Sequence, residues 1–127
     1  MENFSSEWMA VWQQKINSDP NYYVVGKYFD CAMRFDFGEK DYVIKVKNSK
    51  CISGDCDTPV DLEFIAKKDI WEKFLQPIPP AGFNGEWALN RDGTTMEIKG
   101  DLMIWWQNAR AINRLFELMR EAAKEEM

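Results

Sequence analysis

Histidine is absent from all 127 residues. That removes the commonest general base and the commonest metal ligand, and with them every serine–histidine or cysteine–histidine nucleophile system. Cysteine is sparse. Cys31, Cys51 and Cys56 make an odd count with no accompanying sign of secretion, so reduced thiols are expected and a disulfide framework is not. The Cys51-x4-Cys56 spacing lacks partners for a tetrahedral zinc site, so no metal and no cofactor is expected. Asp55 and Asp57, in a Gly-Asp-x-Asp-Thr-Pro run, read as turn formers and not as an acid–base pair. A glycine-rich phosphate loop is also missing, since Gly82-x-x-Gly85 stands between a proline run and a strand with no Lys-Ser pair and no helix after it.

Positive charge is never concentrated. The net charge is −5 and lysines and arginines are interspersed with acids, whereas a sequence-independent grip on phosphate backbones needs several of them converging on one surface. Nucleic acid is therefore not an expected partner. Lys45, Lys47 and Lys50 in one hairpin offer at most a transient contact with an anionic membrane. No leader-type pattern opens the chain and no segment approaches the ~20 uninterrupted apolar residues that span a bilayer, so a soluble, cytoplasmic protein is expected.

What the chain has in quantity is apolar and aromatic side chains, 46% and 14% of residues, six of them tryptophan. This suffices for one compact domain over residues 1–127. Ser5 and Ser6 precede Trp8, Val11, Trp12 and Ile16 at helical spacing, and Asn17-Ser18-Asp19-Pro20 supplies a stop, predicting a helix over 5–17. From Tyr28 to Phe37 the period switches to two, with Phe29, Cys31, Met33, Phe35 and Phe37 on one face. After a turn at Gly38 to Asp41, Tyr42, Ile44 and Val46 continue it as a hairpin partner. A break at Ser53 to Pro59 leads to a third strand carrying Val60, Leu62, Phe64 and Ala66, so three antiparallel strands are expected first. A short helix follows over Lys68 to Gln76. Three prolines make 77–82 a rigid loop. Trp87 and Leu89 mark a fourth strand and Thr95 to Lys99 a fifth.

Gly100-Asp101 then provides a chain reversal and a helix N-cap, since the Asp carboxylate accepts from free first-turn amides. The helix that follows is expected to run unbroken from Leu102 past Leu118. Trp105, Trp106, Ala109, Ile112, Leu115, Phe116, Leu118 and Met119 cover more of it than the stripe of an ordinary surface helix. Something apolar must lie against it, either protein or a cavity that a greasy ligand fills.

The element order and several segments resemble the sterol carrier protein 2 (sterol-transfer) domain family over nearly the whole chain. The segments are Trp8 to Asp19 ending in Ile16-Asn17-Ser18-Asp19, the hairpin from Phe29 to Val46, and Asp61-Leu62-Glu63-Phe64 running into Asp69-Ile70-Trp71. The last is Met96-Glu97-Ile98-Lys99-Gly100-Asp101 leading into Asn108 and Leu115 to Arg120. Gln76 to Phe83, rich in proline, and an ending in Glu125-Glu126-Met127 without a peroxisomal signal make it similar to bacterial stand-alone members. The resemblance implies an α+β fold, a five-stranded mixed sheet with helices packed on one face and an apolar tunnel between them. It also implies a non-enzymatic binder of lipids, acyl chains or sterol-like molecules.

On that reading Phe35, Phe64, Trp105, Trp106, Ile112 and Phe116 line the tunnel, and Asn108 orients a head group. The expected partner is a hydrophobic small molecule, handed on to an enzyme or a membrane. Two other classes fit the residues: a small accessory subunit docking on a larger enzyme through apolar surface, and a metal-independent enzyme using a perturbed carboxylate or tyrosine on a hydrophobic substrate.

Overall fold

The computed structural model describes residues 3–54, 57–76 and 96–124. The expected strand around Trp87 and Leu89, the 77–82 loop and Cys56 lie outside them. Helix α1 (Ser6–Ser18) begins where the Ser5 hydroxyl accepts from the Trp8 amide and turns Trp8, Met9, Trp12 and Ile16 inward. The Asn17 to Pro20 stop ends α1 but does not begin a loop. Asp19 caps a second helix, α2 (Pro20–Val25), its carboxylate accepting from Tyr22 N. Pro20 stands in that helix's first turn, where its missing N–H costs nothing.

Among the described residues five strands form one sheet: β1 (Cys31–Asp36), β2 (Asp41–Lys47), β3 (Lys50–Gly54), β4 (Leu62–Ile65) and β5 (Glu97–Gly100), in the order β3-β2-β1-β4-β5. The sheet is mixed and the fold α+β. Two details of the expected topology are corrected. The third antiparallel strand is β3, which pairs with β2, and the strand carrying Leu62 and Phe64 runs parallel to β1, with Met33 opposite Leu62 and Phe35 opposite Phe64. Alternation along a strand reports which face is buried but carries no direction.

Cys31, Met33, Phe35, Ile44, Val46, Leu62, Phe64 and Ile98 share the inner face and are buried. Against it lie the helices, including α3 (Lys68–Phe74), which turns Trp71 and Phe74 into the core.

The strand-to-helix junction at Gly100 is steric. Gly100 has φ +111°, and a Cβ there would sit 2.1 Å from the Asp61 carbonyl oxygen, so no other residue fits without moving backbone. Asp61 accepts from Asp101 N at 3.0 Å, and the Asp101 carboxylate accepts from Met103 N at 3.1 Å, starting α4 (Leu102–Gln107) as the sequence predicts.

The long helix does not run on unbroken. It ends at Asn108, whose backbone (φ −122°, ψ 30°) leaves the helical region, and α5 (Ala109–Lys124) follows. Asn108 Nδ2 donates to Ile104 O at 2.9 Å, while its N–H is shared between Ile104 O and Trp105 O. An asparagine amide competes in this way with the helical ladder.

Candidate functional site

Three of the expected site residues meet directly between sheet and α5. The Phe35 and Phe64 rings stack at 5.1 Å, and Phe116 from α5 meets them at 5.8 and 5.2 Å. Ile112 lies one turn before Phe116 in the same core. Trp71 and Phe74 complete the cluster at 5.9 and 5.6 Å from Phe116, and Trp12 reaches Phe35 edge-on at 5.1 Å. Sequence reasoning did not name these three as site residues, although the i, i+3 spacing of Trp71 and Phe74 marks one inward helix face.

Phe35, Phe64 and Ile112 are 0% exposed and Phe116 is 1% exposed. A wall facing a void large enough for water would register accessible surface, so protein atoms touch these side chains on every side. Around these four side chains the packing is closed, ring against ring.

The other expected residues part company. Trp105 turns inward, 4% exposed, while Trp106 is 58% exposed, because consecutive helical residues point about 100° apart. The half-buried Asn108 spends its amide on Ile104 O, as the end cap of α4.

Hydrogen bonds from buried aromatics lock the walls. Trp12 Nε1 donates to Leu115 O at 3.0 Å, tying α1 to α5, and Trp71 Nε1 donates to Asp36 O at 2.7 Å, tying α3 to β1. Arg120 lies 4.5 Å over the Phe74 ring and donates to Phe74 O. Burial lowers its pKa from the ordinary arginine value. A bidentate pair, Arg114 to Asp19 at 2.7 and 2.9 Å, bolts α5 to the α1–α2 junction.

The titratable groups buried near this interior are poor chemical tools. Burial pushes the Cys31 and Cys51 thiols up to about 12, Asp61 adding to the effect at Cys31, so neither is a thiolate at neutral pH. Burial likewise pushes the Tyr22 phenol upward. Among the described residues no group of three or more cysteine, aspartate or glutamate side chains is placed to hold a metal ion.

No protein-family model matches the sequence, and no curated protein matches it. Solved structures do. A crystal structure of sterol carrier protein 2 superposes with a TM-score of 0.77 at 16% identity, over 94% of this chain and 98% of that one. This is the sterol carrier protein 2 fold. A solution structure from Thermus thermophilus, of a hypothetical protein described as a candidate sterol carrier protein, gives 0.73 at 17% identity over 96% and 90%. A ubiquinone synthesis protein, UbiJ-SCP2, gives 0.56 at 16% identity over 84% and 90%. The sterol-carrier fold thus accounts for the five-stranded mixed sheet and the helices on one face. No described helix is long and apolar enough to cross a membrane.

Proposed function

We propose that the protein binds one hydrophobic or amphipathic molecule, a lipid, acyl chain or sterol-like compound, between the inner sheet face and α4 and α5, without catalysis. The observation that carries this is the interior itself, an aromatic cluster joining β1, β4, α3 and α5 in a fold shared with sterol carrier protein 2. Phe35, Phe64, Ile112 and Phe116 then form the ligand-facing wall, with Trp105 at its edge. Because they are packed against one another, ligand takes the place of ring-to-ring contacts as helix and sheet part. Burying ~300 Å² of ligand apolar surface contributes roughly 7 kcal/mol before entropy losses, enough for useful affinity without special polar chemistry. Asn108, between α4 and α5 and one turn before Ile112, orients a head group once its bond to Ile104 O is exchanged.

The test is titration of delipidated protein with a fluorescent fatty acid. Saturable energy transfer from tryptophan, reversed by unlabelled long-chain lipid, is expected. Absence of binding to acyl, sterol and aromatic probes alike would sink the carrier reading.

The closed packing favours a second reading, in which the interior stays shut and the protein serves as an accessory subunit of a larger enzyme. The carrier reading predicts a lipid in the mass spectrum of the purified protein. The subunit reading predicts an empty chain that co-purifies with one large partner.

A further inference from the structure

One end of the sheet differs from the rest of the surface. There β1 and β4 begin, β2 and β5 finish, and the β2–β3 hairpin turns. Lys47 and Lys50 are direct cross-strand partners, and Lys45 lies two residues along on the same outer face. Like charges placed opposite each other destabilise a sheet, and none of the three lysines makes an ion pair among the described residues. They line a groove of about 400 Å³ with Ile52, and the acids facing them are Asp30 and Asp61. Asp61 already accepts from Ala32 N. Lys27, at the end of α2, adds a fourth cation 5.5 Å from the Tyr28 ring. Cations thus gather here in a chain whose net charge is −5.

Apart from Val24, which lies beside Arg110 and Asn113 of α5, the large apolar side chains that stand out from the described surface gather at the same end. Tyr23 (63% exposed) sits on α2, where Ser49 of the hairpin turn donates to its carbonyl, and Tyr28 (88%) leads into β1. Ile52 (60%) lies among the lysines. Across the end, α4 leaves the Gly100 junction and presents Leu102, Met103 and Trp106, 41%, 54% and 58% exposed.

We propose that this end docks on an anionic lipid surface, with the lysines meeting headgroup phosphates and the tyrosines, Met103 and Trp106 entering the boundary beneath them. Lysines approaching an anionic leaflet gain attraction that a neutral one withholds. Tyrosine and tryptophan rings suit the level where headgroups give way to hydrocarbon. An acidic protein would satisfy the lysines but would leave apolar side chains spread over the whole end without cover. The proposal does not depend on the interior binding ligand.

The experiment is flotation of the full chain with vesicles of phosphatidylcholine alone and of a phosphatidylcholine–phosphatidylglycerol mixture, at low and high salt. The expected result is partition into the mixed vesicles only, weakened by salt. The triple variant Lys45→Gln/Lys47→Gln/Lys50→Gln should partition about a hundredfold less with an unchanged circular dichroism spectrum and a melting midpoint no lower than that of the wild type. Quenching of tryptophan by brominated phosphatidylglycerol in those vesicles should fall in Trp106→Phe. No partition into mixed vesicles, partition unaffected by the triple variant, or lysine-dependent capture of an acidic protein without vesicle binding would each overturn the proposal.

Discussion

Helices α4 and α5 come from one apolar stretch of sequence and end in opposite environments. In α5, Ala111, Ile112, Leu115, Phe116, Leu118 and Met119 are all at most 2% exposed, and the opposite side carries the exposed Asn113 and Glu117. In α4, Trp105 alone is buried, while Leu102, Met103 and Trp106 face outward. The bend at Asn108 separates them. Apolar surplus on a helix therefore had two destinations here: α5 spends it on the core, and α4 leaves it on the surface at the lysine-rich end of the sheet. If this division is real, substitutions in α5 cost stability and those in α4 cost association.

The largest effect is expected at the centre of the α5 side. Phe116→Ala removes a ring in contact with Phe35, Phe64, Trp71 and Phe74, and truncation of a buried phenylalanine costs ~3–5 kcal/mol. Chemical denaturation of the delipidated variant measures it. A loss well below that range would mean that the ring borders space, which would bring α5 closer to a tunnel wall than to a solid core.

The second effect concerns the bolt that fixes α5. The Asp19 and Arg114 side chains are 9% and 19% exposed, and Arg114 also reaches Glu121 at 3.3 Å and Glu117 at 3.8 Å. Removing Arg114 by Arg114→Ala strands a nearly buried carboxylate and should cost about 2 kcal/mol, less than for a fully buried pair. The Arg114 hydrogen bonds hold the Asp19 carboxyl below the usual carboxylate range, with the Tyr22 N–H adding to them and burial opposing them. A group with a lowered folded pKa contributes stability that is complete above its unfolded value, near 4, and is lost as pH falls through the folded value. The melting midpoint of the wild type should therefore drop in that acid window more steeply than that of Asp19→Asn.

The bolt also shows what sequence reading reaches. The faces of β1 and β2 and the Gly100-Asp101 junction are written in neighbouring residues, by period-two alternation and by cap chemistry, and all were legible. Asp19 and Arg114 lie 95 residues apart, and nothing local marks either as the other's partner. Strand β3 escaped because Lys50, Cys51, Ile52 and Ser53 bury only the cysteine, and an edge strand with so little inward surface shows no alternation. The break at Asn108 was hidden because apolar spacing continues through it. Of the residues expected to line a site, Phe35, Phe64, Ile112 and Phe116 are brought together in the buried core, where face and period put them. Trp105 and Trp106 were assigned to one surface although a helix must set adjacent side chains about 100° apart.

A smaller effect lies at the entrance to α4. Asp101→Ala removes the carboxylate that accepts from Met103 N and should cost about 1 kcal/mol, the usual loss for an N-cap. The Gly100 conformation and the Asp101 N–H bond to Asp61 O remain, so the chain reversal itself persists. If binding of a fluorescent fatty acid disappeared with no change in the denaturation midpoint, Asp101 would belong to the ligand site and not to the cap.

The smallest stability effect is expected at Trp106, and it is the sharpest test of the division. Trp106 is the largest exposed side chain of α4, with more than half its surface already in water, so Trp106→Ser should leave the denaturation midpoint within about 0.5 kcal/mol of wild type. Its neighbour gives the control, since Trp105 packs in the core and Trp105→Ala should fall in the range of Phe116→Ala. Two adjacent residues of the same type then differ several-fold in cost for one reason, the direction in which α4 presents them. Trp106→Ser should in turn weaken partition into anionic vesicles while leaving fatty-acid titration unchanged. Equal stability losses at the two positions would show that α4 buries both sides in solution, and its outward face would not be free to meet a lipid surface.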